Sequence, residues 1–552
     1  MTGRAPAAGR RRRHSLVAAG AVAVLAASAA CGAGSSATTS GAHQVKQLTW
    51  ASILRHSTDL GPSKAKSLSI LVALRPGGAA TFRNWSAAHG LRTSDVTDYG
   101  ATLTGTPSAL DAALGVAIRD WRSPGGARFL AARTDAAVPR ELDGAVSGFG
   151  RISTLRSGGS LFRPPTGIPP KGLTPTDVMR AYNALPLQQA GDSGAGQTVV
   201  IFEPGDAFNQ KSLDTFDQMF NLPALTPVVN GKLASSDGVE TDMDIETVHA
   251  IAPGARIIYD DFGTYATSDS ATIGDVVHAA FADMDKKYPG AIWSASLGFC
   301  EYLYFQPSEV QVLEADVASA VSHGTTFFAS SGDTGGLDCT PSKSIGDFPG
   351  EEGKGVMIPS VLAHTTGVGG TTLSVTSTSD YANEEVWTSA VMSQGTGGGV
   401  SKLIPRPTWQ TGPGVDGQGV DPQFRIVPDI AADADPASGT IVISAGASSH
   451  GDPSAKTSGG GTSLSAPMWA GFTALMNAYL EQHGGKAVGF LNPTLYYLAS
   501  HPQQYPPLHD VTLGNNDFYV ATPGYDPVTG LGTPNVAYLT QDILAIQKAQ
   551  KS

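Results

Sequence analysis

The sequence predicts an α/β protein: a large domain built on a mainly parallel sheet flanked by helices, preceded by a smaller α/β unit. Three observations carry this. From Thr198 onward short apolar runs alternate with helical patterns, which implies parallel strands covered on both faces. The stretch 157–172 is so rich in Gly and Pro that it sustains neither a helix nor a central strand, and it divides the chain in two. A length of 552 residues allows one large domain plus a smaller one.

The ends of the chain set its compartment and charge. Arg10 to Arg13 followed by the apolar Leu16 to Ala30 has the form of a secretory signal, too short for a spanning helix, so 1–31 is expected to direct export. Cys31 follows Ser28-Ala29-Ala30, a pattern resembling a bacterial lipobox, and lipid attachment at Cys31 would hold the protein on the outer face of the membrane. Residues 32–44 are small and polar, a spacer. A net charge of -12 with no basic patch beyond the extreme N-terminus excludes nucleic-acid binding. Cys300 and Cys339 then remain, and an exported pair invites a disulfide; the alternative is two separate buried thiols.

Within 45–156, Leu68 to Leu74 reads as a buried strand, Ala79 to His89 as a helix stopped at Gly90, and Thr106-Pro107 as the start of a helix reaching Leu114. Val116, Ile118 and Arg128 to Ala132 suggest further strands. The linker at 157–172 is an exposed site for proteolysis, so one precursor can become two chains. In the domain 173–552 a helix opens at Thr174-Pro175 and runs through Tyr182. Strands are expected at Thr198 to Phe202, Arg256 to Tyr259, Ala291 to Leu297 and Thr325 to Ala329, and helices at Asp244 to Ile251, Asp275 to Lys286 and Ser308 to Ser322. Ligand sites in such sheets lie beyond the carboxyl ends of the strands, where Ser296 to Gly298 and Ser330 to Asp333 fall.

Chemistry is concentrated in Gly459-Gly460-Gly461-Thr462-Ser463-Leu464-Ser465-Ala466-Pro467, which runs into an apolar helical pattern ending at Leu480. A serine where a glycine loop enters a buried helix faces unpaired backbone N–H groups, a good position for a nucleophile; the plainer reading is a Ser-rich N-cap. Glu240 and Asp244 are four apart, so on a helix both project from one face and one pKa should rise; the plainer reading is a solvated acidic helix start. His323-Gly324-Thr325 imitates the H-G-T of a Ser-His-Asp protease, but here a helix ends at His323 and a strand follows, the reverse of the order such a histidine needs. His249 is read as a packed helix residue, and neither histidine is given a catalytic role.

Taken together, several segments resemble the sedolisin family of serine-carboxyl peptidases: Glu240-x-x-x-Asp244-Ile-Glu246, Ala250-Ile-Ala-Pro-Gly-Ala255, Ser330-Ser-Gly-Asp333, Gly397-Gly-Gly-Val-Ser401, Pro405-Arg-Pro-x-Trp-Gln410, Val427-Pro-Asp-Ile-Ala-Ala-Asp-Ala-Asp-Pro436 and Gly461-Thr-Ser463. They occur in the family's order from Leu173 to the C-terminus. The resemblance implies a subtilisin-like catalytic domain and makes 45–156, with Val138-Pro-Arg-Glu-Leu142, a ferredoxin-like activation prodomain that inhibits the enzyme until the linker is cut. Ser463 would then be the nucleophile, Glu240 the base, Asp244 the group orienting it, and Asp333 the carboxylic acid of the oxyanion hole. The chemistry suits acid. A glutamate, with an ordinary pKa of about 4.3, accepts the serine proton where a histidine would already be charged, and Asp333 donates to an oxyanion only while protonated.

By the same resemblance Asp510, Val511, Thr522, Gly524 and Asp526 form a calcium loop, two carboxylates with backbone carbonyls holding one structural ion; by composition alone they read as Asx-turn caps. Leu297 stands where kumamolisin-like members carry tryptophan, so subsite preference is open. The function implied is a secreted, acid-acting, self-processing serine endopeptidase, monomeric, with polypeptide substrates pairing against Ser296 to Gly298 and Gly397 to Gly399. Its alternatives are a tripeptidyl exopeptidase, a Ser-His-Asp subtilase using His323, and a non-catalytic surface-binding protein.

Overall fold

A computed structural model describes residues 46–156, 158–160, 172–234, 238–266, 270–389 and 393–550. The export segment 1–31 with Cys31, the spacer 32–44 and most of the 157–172 linker lie outside the described residues.

The N-terminal unit runs β1 (Leu68–Leu74), α1 (Ala79–Ala88), β2 (Arg92–Ser94), β3 (Gly100–Gly105), α2 (Pro107–Leu114) and β4 (Val146–Phe149). The sheet order is β2-β3-β1-β4, all antiparallel. Each residue of β1 is buried, as its unbroken apolar run dictates for a central strand. Thr106 caps α2 by accepting from Ala109 N, Pro107 occupies its first turn, and Gly115 at φ 66 ends it. The strand expected from Val116 begins at Ile118 and forms a hairpin, Ile118–Arg122 with Arg128–Ala132, inserted before β4.

The large domain is the expected α/β layer structure. Its strands are β5 (Thr198–Glu203), β6 (Val228–Asn230), β7 (Arg256–Asp261), β8 (Ile292–Ala295), β9 (Leu297–Cys300), β10 (Thr326–Ser330), β11 (Thr366–Val375), β12 (Tyr381–Val386) and β13 (Ile430–Asp433). The helices that matter here are α3 (Val239–Ile251), α4 (Ile273–Lys287), α5 (Pro307–Ser322) and α6 (Thr462–Gln482). The main sheet runs β6-β7-β5-β8-β10-β11 in parallel, with β13 also parallel to β11 and β12 antiparallel on it. Alternate residues of one strand serve opposite cores: Val199 and Ile201 pack with α3 and α6, Val200 and Phe202 with α4 and α5.

Two expectations need correction. Ala291 to Leu297 is not one strand: β8 stops at Ala295, and after Ser296 the chain enters β9, which belongs to a different, antiparallel sheet. The linker does supply a strand, since Gly158–Ser160 pairs antiparallel with β9, Leu297 opposite Ser160 and Phe299 opposite Gly158. Gly/Pro content argues against a central strand, but this is a short edge strand, and the prolines begin only at Pro164.

The N-terminal unit lies on the outer faces of α4 and α5. Ser69 N donates to Ser270 O (2.9 Å), Thr102 Oγ1 to Asp275 Oδ1 (2.5 Å) and Arg151 N to Glu309 Oε2 (2.8 Å). Among the described residues no helix is long and apolar enough to cross a membrane.

Candidate active site

Ser463 stands in the first turn of α6, fully buried. Gly461, at φ 77, makes the entry turn in a region that side-chain-bearing residues avoid. Pro467 lies inside the helix and has no N–H, so the carbonyl of Ser463 lacks the donor an ordinary helix would give it from four residues on. Ser296 Oγ takes that place, donating to Ser463 O at 3.0 Å. The hydroxyl of Ser463 has no hydrogen-bond partner among the described residues.

The carboxylates arrive from three directions. Helix α3 begins earlier than expected, at Val239, which puts Glu240 in its first turn and Asp244 one turn on. All residues of α3 are buried, so the solvated acidic helix start is excluded. Asp244 is pushed well above the ordinary carboxylate range by burial, and the Ser296 hydroxyl beside it pulls the other way. One hydroxyl therefore lies between Asp244 and the backbone of Ser463. Asp333 follows β10 and reaches the other side of the same turn, where its Oδ1 accepts from Thr462 N (2.8 Å) and Thr462 Oγ1 (2.9 Å). Burial raises Asp333 to about 6 against those two donors. The structure thus gathers Ser463, Asp244 and Asp333 around the start of α6, with Glu240 on the same helix as Asp244.

Two further carboxyl groups escaped the sequence reading. Glu203 ends β5, fully buried, and is held well above its ordinary range by burial and then by the charges of Asp244 and Glu240, with the Thr241 hydroxyl opposing. The available signal was one acidic residue closing the apolar run Val199 to Phe202. Asp338, five residues past Asp333, accepts from Thr334 N (3.1 Å) and Thr334 Oγ1 (2.7 Å) and so ties the turn that carries Asp333. Its carboxyl lies where a Cβ on Gly332 (2.3 Å) or Gly397 (2.2 Å) would be, which is why both positions must be glycine.

The histidines lie elsewhere. His249 Nε2 meets Pro223 O (2.8 Å) and Asp217 Oδ1 (3.1 Å). His323 caps α5 and pairs with Asp285 (2.7 Å) ahead of β10, whereas Asp333 follows that strand, about 16 Å further along it. Cys300 and Cys339 are bonded to each other. Leu297 is buried in the core beside α4 and α5.

In the C-terminal loop Asp510 Oδ2 accepts from Gly524 N (2.9 Å) and Asp526 Oδ2 from Thr522 N (3.0 Å), so both carboxylates converge on 522–524. Among the described residues no hydrogen bond ends on the carbonyl oxygens of Val511, Thr522 or Gly524. Two carboxylates with three unclaimed carbonyls are an oxygen donor set that fits a hard cation. Among the described residues no group of three or more His, Cys, Asp and Glu side chains is arranged so that it could hold a metal ion.

Comparison with known proteins agrees with this geometry. Residues 231–488 match the model of the subtilase family. Kumamolisin of Bacillus sp. (strain MN-32) is 32% identical over 506 residues, 84% of this chain and 83% of that protein. The chain belongs to the sedolisin family. Among its solved members, Pseudomonas sedolisin, a serine-carboxyl proteinase complexed with two molecules of pseudo-iodotyrostatin, superposes with a TM-score of 0.56 at 27% identity, over 68% of this chain and 99% of that one. Tripeptidyl-peptidase sed1 of Aspergillus fumigatus is 28% identical over 436 residues, 66% of this chain and 63% of that protein. As a sedolisin-family member the protein is a serine peptidase with a subtilisin-like fold.

Proposed function

We propose that this sedolisin-family chain is an exported serine-carboxyl endopeptidase, made as a self-processing zymogen and active in acid. In this reading Ser463 Oγ attacks the scissile carbonyl while Glu240 takes its proton, and Asp244, buried beside Ser296, orients Glu240. Asp333, protonated, donates to the oxyanion; the acyl-enzyme then yields to water activated by Glu240. The observation that carries the reading is the Asp333–Thr462 contact at 2.8 Å, which puts a carboxyl group kept protonated up to about pH 6 one residue from the serine.

The resemblance to tripeptidyl-peptidase sed1 raises a second reading, removal of short N-terminal peptides. The Gly158–Ser160 strand favours the endopeptidase. Its three residues pair with β9 while the chain continues on their N-terminal side, so the segment on that edge is not a free N-terminus. An internally quenched peptide with a blocked N-terminus tests this directly: cleavage near pH 4 supports the endopeptidase, and cleavage only after unblocking supports the exopeptidase.

The Asp510–Asp526 loop would hold one calcium ion, which supplies charge to keep five loop oxygens together. The expected outcome is a lower Tm of the processed enzyme after chelation, restored by calcium. Lipid attachment at Cys31 and prodomain inhibition belong to the same proposal. They are checked by labelling with a radioactive fatty acid and by adding the isolated prodomain to active enzyme.

A further inference from the structure

Beside the site lies a pocket of about 410 Å3 whose walls include Gly336, Lys354, Gly355, Gly399, Lys402 and Tyr519. Its walls are continuous with the segments that hold Asp333. Gly336 is three residues past Asp333, so their Cα atoms are within about 11 Å. Gly399 is two residues past Gly397, whose N–H donates to Gly332 O (2.7 Å) and whose carbonyl accepts from Ser331 Oγ (2.8 Å). Gly355 N donates to Gly336 O (3.2 Å), and two residues later Met357 begins the strand that pairs with β9 on the side away from Gly158–Ser160.

The chemistry of the pocket is cationic. Lys402 Nζ donates to Lys354 O at 3.0 Å and stands 3.9 Å from the Tyr302 ring. Lys354 Nζ stands 4.7 Å from the Phe518 ring and 5.2 Å from that of Tyr519. Aromatic faces steady both ammonium groups without neutralising them. Among the described residues neither lysine makes an ion pair, in a chain carrying 48 acidic side chains. The nearby acids do not cancel this charge. Glu301, fully buried beneath, already accepts from Ser401 Oγ (2.6 Å) and Lys402 N (2.6 Å) and is raised by burial to about 7, so in acid it is neutral. Asp421, also among the lining residues and exposed, accepts from Gln423 N (2.9 Å) within its own turn and pairs with neither lysine. Lys402 itself is lowered to about 8 by burial and then by Lys354, opposed by Glu301, and stays charged in acid.

We propose that this pocket is a specificity subsite which takes an acidic side chain of the polypeptide substrate, its carboxylate seated between Lys354 and Lys402. This rests on the peptidase reading above and adds a substrate class to it.

The test compares peptides that differ only by Glu or Gln at each position within three residues of the scissile bond, at pH 5, where glutamate is ionised. Wild type is expected to favour Glu at one position by about tenfold in kcat/KM, the scale of one charge-assisted hydrogen bond. In Lys354→Met with Lys402→Met that Glu/Gln ratio should fall to near one, and in Lys402→Glu the same position should favour Arg. The ratio cancels the amount of folded enzyme. A wild-type ratio near one at all positions, or a preference for Glu that survives both lysine substitutions, overturns the subsite. Failure of wild type to cleave either series overturns the peptidase reading and this inference with it; cleavage of the Gln series with no Glu preference overturns this inference alone.

Discussion

In the proposed mechanism Asp333 is the residue whose protonation sets the alkaline side of activity. Its carboxyl is raised to about 6 by burial, and it donates a hydrogen bond only below that value, so rates should fall as pH rises through about 6. Asp333→Ala should lower kcat by about 10²–10³-fold, the usual cost of one oxyanion donor. Asp333→Asn donates at any pH, so its alkaline limb should move upward; an unchanged limb in a pH–rate profile would remove Asp333 from this role. Asp338 acts on the same turn from behind. Asp338→Ala removes the acceptor of the Thr334 N–H and hydroxyl, a part-buried contact, at about 0.5–1.5 kcal/mol, whereas Asp338→Asn keeps one. Denaturant titration of the two variants reads the difference. Ser463, Glu240, Asp244 and Asp333 were legible in the sequence because each sits in a short motif with its neighbours. Glu203 and Asp338 were not, because a lone carboxyl group beside other carboxyls becomes visible only when three separate segments are brought together.

Among the elements, the start of α6 explains most of the site. Pro467 deprives Ser463 O of a helical donor, and Ser296 supplies one from the break between β8 and β9. The proline, the interrupted strand and the position of Asp244 are therefore one device. Ser296→Ala should strand that carbonyl, cost about 1–3 kcal/mol and lower kcat at every pH; thermal unfolding and initial rates together check it. The expectation of one strand from Ala291 to Leu297 failed here because an apolar run does not reveal a hydroxyl whose partner is far away in sequence. Helix α3 was legible in its second half, while its first turn was not, because Glu240 and Asp242 look like solvent-facing residues until distant segments bury them, Asp242 accepting from Asn209 N (2.8 Å). The tight approach shows at Gly471, where a Cβ would lie 2.9 Å from Ile251 Cβ.

For the whole molecule, burial has raised many carboxyl groups: Asp260, Glu301 and Glu309 to about 7, and Asp275 to about 6. A folded state that holds these protons more tightly than the unfolded chain is most stable below the ordinary carboxylate range. It loses that stability as pH rises from about 4 through about 7. Asp59, lowered by Arg119 against burial and further by Arg133, works in the opposite sense, as do Asp177, Asp452 and His509, but these are fewer than the raised carboxyl groups. The Tm of the Ser463→Ala protein, which cannot digest itself, should therefore be higher at pH 4 than at pH 7. A flat or rising profile would contradict this. The alternation of strands and helices made the layered architecture readable in advance, since each strand carries apolar side chains to both faces. The docking of the N-terminal unit on α4 and α5 was not readable: it buries Leu71, Ala73, Phe129 and Leu155 in one core with those helices and adds polar pairs such as Thr102 with Asp275, and an apolar residue does not announce which distant segment covers it.

The most direct test of the mechanism is to shift purified precursor to about pH 4 and follow its intact mass and its digestion of an acid-denatured protein, for wild type, Ser463→Ala and Glu240→Ala. Shortening and digestion by wild type alone, with little activity near neutrality, is the predicted result. Digestion by either variant at the wild-type rate, or activity confined to neutral pH, would contradict a serine nucleophile served by a glutamate base.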